Sequence, residues 1–138
     1  MNKYMKLKRK HQKEINEFPT MFAFNMEQFN EGMKKLGVTD KTELISIGYG
    51  GYIRKTDGET YVRMHKRMDE ECAEAMKDPE YCYQMFRCEL ANHEYCISGD
   101  FEDTLNACGL TEDEVMENPM LLEALRKAEW DYLDSVEW

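Results

Sequence analysis

Helix punctuation constrains this chain more than any other feature. Pro19, Asp78-Pro79 and Asn118-Pro119 interrupt helix propagation, while Gly37-Val38 and Gly109-Leu110 have the form of C-terminal caps with an apolar contact. The pieces between them carry apolar residues at spacings of three and four, which marks one buried face per helix. Tyr4, Leu7, His11, Ile15 and Phe18 predict a helix over about residues 2–18. Asn25, with Gln28 as its capping-box partner, opens a second helix with Met26, Phe29, Met33 and Leu36 inward. Thr56 and Glu59 have the same cap spacing, and Tyr61, Met64, Met68, Cys72 and Met76 then predict the longest helix.

Pro79 starts a fourth helix, with Cys82, Phe86, Leu90 and His93 inward, running to about Tyr95. Ser98-Gly99-Asp100 turns into a short helix containing Phe101, Leu105 and Cys108, and Thr111 with Glu114 opens another. Asn118 caps the last, with Leu121 or Leu122, Leu125, Ala128, Tyr132 and Val136 inward. Only 44–55 departs from this pattern, since Ile45, Ile47, Tyr49, Tyr52 and Ile53 surround Gly48, Gly50 and Gly51 and predict a hairpin or short strands. The expected fold is mainly α: one compact domain over 1–138, with about five to six helices and a minor β element.

A chain of 138 residues with 42% apolar content can bury a core without disulfides or metal. Cys72, Cys82, Cys88, Cys96 and Cys108 are odd in number and form no C-x-x-C pair, so free thiols in a reducing compartment are expected. His11, His65 and His93 are widely separated, with no H-E-x-x-H or H-x3-H spacing, so neither a metal nor a cofactor is implied. No apolar run approaches the roughly 20 residues of a membrane span, and the charged N-terminus lacks the apolar region of a secretory signal. A soluble, cytoplasmic protein is the expectation.

Charge is segregated. Residues 1–69 carry 14 Lys/Arg against 9 Asp/Glu, and residues 70–138 carry 4 against 19, giving halves of about +5 and −15 within a net −10. Such a split speaks to partners rather than to fold.

His11 to Gly37, the stretch Gly50-Gly51-Tyr52-Ile53-Arg54-Lys55-Thr56-Asp57, and Asn92-His93-Glu94-Tyr95 through Gly99-Asp100 and Glu102-Asp103-Thr104-Leu105 together resemble the small uncharacterised proteins encoded by phages and mobile elements of gut Firmicutes. The resemblance covers most of the chain and brings no catalytic residue with it. It implies a setting in which proteins of this size bind host machinery stoichiometrically, inhibition of CRISPR effectors included.

Three readings follow for the functional residues. In the first, carboxylates of the acidic half (Glu70, Glu71, Glu74, Glu112, Asp113, Glu123, Glu129, Asp131 and Asp134, with Glu137 beyond them) imitate a phosphate backbone. They would bind a host protein with a basic nucleic-acid-binding surface; against this, runs of acids are usually solvated helix faces. In the second, Lys6, Arg9 and Lys13 of the basic first helix, with Arg54 and Lys55, contact nucleic acid directly; the competing expectation is that this helix docks on the chain's own acidic half. In the third, His93 works as an acid/base group with Glu94 or with a thiolate from Cys88 or Cys96, against the commoner role of a satisfied core histidine. Gly48-Tyr49-Gly50-Gly51 lacks the G-x-x-x-x-G-K-[ST] pattern of a phosphate cradle and reads as a turn. The first reading leads, as a non-catalytic binding protein.

Overall fold

The computed structural model describes residues 2–136. Among them the elements run α1 (Lys3–Glu17), β1 (Met21–Phe22), α2 (Met26–Leu36), β2 (Leu44–Gly48), β3 (Gly51–Arg54), α3 (Gly58–Ala75), α4 (Pro79–Asn92), α5 (Tyr95–Ser98), α6 (Glu102–Ala107), α7 (Glu112–Glu117) and α8 (Pro119–Ser135). The chain is mainly α with minor strands, as expected. The eight helices exceed the expected five to six: of the three helices of four to six residues between α4 and α8, α6 and α7 match the two short helices read from the sequence, and α5 is additional. No helix among the described residues is long and apolar enough to cross a membrane. Residue packing divides the chain into two units, 11–70 and 2–10 with 71–136.

In the unit 11–70, α2 begins as its cap predicts: Asn25 Oδ1 accepts from the Gln28 amide at 2.8 Å. Gln28 Oε1 accepts instead from the Phe24 amide, one residue before the cap, so the reciprocal half of the box is displaced. The helix closes on Gly37, whose φ of 72° is left-handed, and the Val38 amide donates to Met33 O at 2.8 Å. Met21, Val38 and Leu44 form this unit's core, with Phe29, Met33, Leu36 and Tyr52 packed against them. Met26, expected on the inner stripe, is 70% exposed, because the α2 residues that meet this core begin only at Phe29.

The sheet order is β1-β3-β2, antiparallel throughout, with Met21 opposite Tyr52 and Ile45 opposite Ile53. The predicted hairpin is β2 and β3; β1 is an additional strand. Gly48, Tyr49 and Gly50 all have positive φ in the hairpin turn. Gly50 is required twice over, since a Cβ there would also meet the Phe24 ring at 2.6 Å. The expected cap at Thr56 does not form. Thr56 lies inside a 3-10 turn, Lys55–Asp57, that leads straight into α3, and no side chain caps the turn.

In the unit 2–10 with 71–136, the core lies around α4 and α8. Cys82, Phe86 and Leu90 of α4 and Ala128 of α8 are fully buried, with Leu121, Leu125 and Tyr132 beside them. Burying each large apolar side chain is worth about 1.5–3 kcal/mol. Asp78 caps α4 by accepting from the Glu80 amide at 2.9 Å. The helix stops at Asn92 rather than Tyr95, because Glu94 takes a left-handed φ of 49° and redirects the chain into α5. The remaining caps follow the sequence signals: Thr111 with Glu114 forms a reciprocal box on α7, Asn118 accepts from Met120 and Leu121, and the Leu110 amide returns to Leu105 O past Gly109.

Candidate functional site

The basic first helix is answered from within the chain. On its N-terminal part, Lys3 Nζ lies 2.6 Å from Asp78 and 3.0 Å from Glu80, Lys8 Nζ 3.1 Å from Glu89, and Lys10 Nζ 3.2 Å from Glu71. Docking of this segment on acids of the second half is therefore its arrangement in the fold. Exposed pairs of this kind are screened by solvent and contribute little to stability, so they orient the helix more than they stabilise it. The Glu89 pair is different.

Glu89 is 2% exposed, a carboxylate inside the core of α4. Its Oε1 accepts from the Tyr4 hydroxyl at 2.8 Å, from Lys8 Nζ at 3.1 Å and from Asn92 Nδ2 at 3.3 Å, while Oε2 lies 3.3 Å from His93 Nε2. Burial pushes this carboxyl up, but the hydrogen bonds from Tyr4 and Lys8 outweigh burial and hold it below the ordinary carboxylate range. Burial and the same hydrogen bond raise the Tyr4 hydroxyl. Sequence reasoning passed over Glu89. The available signal was an acid three residues after Phe86 and four before His93, on the inner side of an apolar helix, which demands cationic or hydroxyl partners.

His93 thus pairs with Glu89 and not with Glu94, which stands in the left-handed turn. Of the two thiols in the His93 reading, Cys96 Sγ accepts from the Tyr132 hydroxyl at 3.2 Å. Burial pushes Cys82 up to about 11 and Cys108 up to about 12, and it raises Cys88 as well. No disulfide and no group of three or more metal-ligating side chains in binding arrangement occurs among the described residues.

The other candidate residues scatter. Lys6, Arg9, Lys13 and Lys55 are exposed, with Lys13 4.0 Å from Glu17. Arg54 Nε is 2.8 Å from Asp57, and its Nη1 reaches Leu36 O at 3.4 Å. Glu70, Glu112, Asp113, Glu123 and Asp134 are exposed, and Glu74 pairs with Lys77 at 2.8 Å. Glu129 and Asp131 are half-buried acceptors for the Tyr95 and Tyr83 hydroxyls, so both hold the packing of α8. Glu137 lies outside the described residues.

Two of the predicted acids do come together. Glu112 and Glu129 line a groove of about 320 Å³ between α6, α7 and α8, floored by Leu105, Val115 and Leu125 and edged by Met116 and Arg126. Phe101, Leu105 and Glu112 also line an adjoining, more polar depression of about 830 Å³ with Asp100 and Glu102. Phe101 is fixed there by stacking on Tyr95, centroids 4.6 Å apart and planes 7° from parallel.

The model of a family of unknown function, DUF7659, matches residues 3–130. The chain belongs to that family. The match runs from α1 to within α8 and so takes in the Glu89 cluster and both depressions. No curated protein and no solved structure matches the chain.

Proposed function

We propose that this member of DUF7659 is a non-catalytic acidic binding protein of phage or mobile-element type. It acts in the cytoplasm by occupying the nucleic-acid-binding surface of a host protein, a CRISPR effector being one such target. One observation carries the reading: from Cys88 to Leu125 there are ten Asp/Glu and no Lys/Arg, and every one of those acids except Glu89 is exposed. Carboxylates with no ion pair among the described residues, running from Glu94 and Asp100 through α6 and α7 to Glu123 on α8, present the sign and density of charge that a cationic nucleic-acid channel accepts.

The alternative, a nucleic-acid-associated module, rests on the exposure of Lys6, Arg9 and Lys13. It is less favoured, because a chain of net charge −10 repels phosphates and Arg54 is engaged with Asp57. An enzyme centred on His93 stands third, since its ring faces a carboxylate already committed to Tyr4 and Lys8.

The test is affinity capture from host lysate with the wild type and with an E112K/E123K/D134K variant, followed by competition with the captured protein's own nucleic acid. A protein retained by the wild type alone, released by salt and displaced from its nucleic acid, supports the reading. Equal capture by both forms refutes it.

A further inference from the structure

Resting on that reading of the acidic surface, we propose that the groove between α6, α7 and α8 is a docking site for a cationic amphipathic helix of the partner protein. The floor is apolar: Leu105, Val115 and Leu125 are 5%, 1% and 4% exposed. On its lip, beside the charged Glu112 and Arg126, the apolar Met116 is uncovered at 57% exposure. An apolar trough edged by a flexible Met side chain is the surface that helix-in-groove recognition uses, with anchors spaced i, i+3, i+4 and i+7.

Charge selects among possible occupants. The groove and its adjoining depression are lined by Asp100, Glu102, Glu112 and Glu129, and Arg126 is the one Lys/Arg among the residues lining either. Glu117 and Glu123 lie on the elements that border it and are exposed. An acidic or neutral helix would face repulsion or an uncompensated rim, whereas Lys/Arg flanking a row of apolar anchors meets both the trough and its carboxylates. A second copy of this chain would bring the same acidic rim to the interface.

The experiment uses the full chain and two labelled synthetic peptides of about 14 residues, one with leucines at the helical anchor spacing and lysines elsewhere, the other with every leucine replaced by glutamine. Anisotropy titrations at low salt compare the wild type with M116S, a substitution at an exposed position. The leucine peptide is expected to bind the wild type at least about tenfold more tightly than the glutamine peptide, and M116S should lose most of that preference. Equal affinity for the two peptides overturns the groove while leaving the acidic surface as the binding element. A leucine preference untouched by M116S overturns it too. Binding of neither peptide overturns the groove and the acidic reading together. A dimer in sedimentation that M116S dissociates assigns the groove to a second copy and likewise overturns the proposal.

Discussion

The Tyr4 hydroxyl donates to Glu89 Oε1 across 2.8 Å, tying the first turn of α1 to a carboxylate inside α4. Because the acceptor is charged and 2% exposed, this bond is worth more than a surface ion pair. Tyr4→Phe should cost about 1.5–3 kcal/mol in urea unfolding. Lys8→Ala should cost less, since half of that side chain is already in solvent.

Stability should depend on pH through the same carboxyl. The folded value of Glu89 is held below its ordinary 4.5, so its contribution is fully present above that pH and is lost as the pH falls through the lowered value. Urea midpoints measured between about pH 5 and pH 2 should therefore fall more steeply for the wild type than for Glu89→Gln. Identical acid limbs would show that the cluster does not couple to folding.

The inner face of α8 and the outer start of α2 offer a paired test of packing. Leu125 is 4% exposed, and Leu125→Ala should cost about 2–5 kcal/mol. Met26 is 70% exposed, and Met26→Ser should change stability by no more than about 0.5 kcal/mol.

What the sequence made legible was local chemistry. Asn25, Thr111 and Asn118 cap helices because a short polar side chain reaches the next amides without help from distant residues, and Gly37 and Gly109 close helices for equally local reasons. Features set by distant partners were missed. Met21-Phe22 becomes a strand only because β3 pairs with it, and two residues leave no periodic signal. Thr56 has the spacing of a cap, yet Asp57 pairs with Arg54 in a 3-10 turn that occupies its place. Glu94 breaks α4 without the glycine that such a turn favours. For the candidate site, the acids were visible as charge, but the separation of Glu112, facing a groove, from Asp131, bound to Tyr83, depends on how α7 and α8 pack.

Thiol chemistry should divide by burial. Denatured protein prepared without oxidant should titrate all five cysteines. In the native state Cys82, fully buried with its thiol pushed up to about 11, should react only on unfolding. Rapid native labelling of Cys82 would contradict the packing of α4.

The most direct test of the acidic-surface account is a fluorescence titration of duplex DNA and of single-stranded RNA with the purified chain, over a series of salt concentrations. No complex with either is expected, even at low salt, because a chain of net charge −10 repels phosphates and the cations of α1 that face Asp78, Glu80, Glu89 and Glu71 are already engaged. A tight complex whose log affinity falls linearly with log salt, and whose slope drops by about one unit for each of Lys6, Arg9 or Lys13 removed, would contradict it and establish the basic helix as the functional surface.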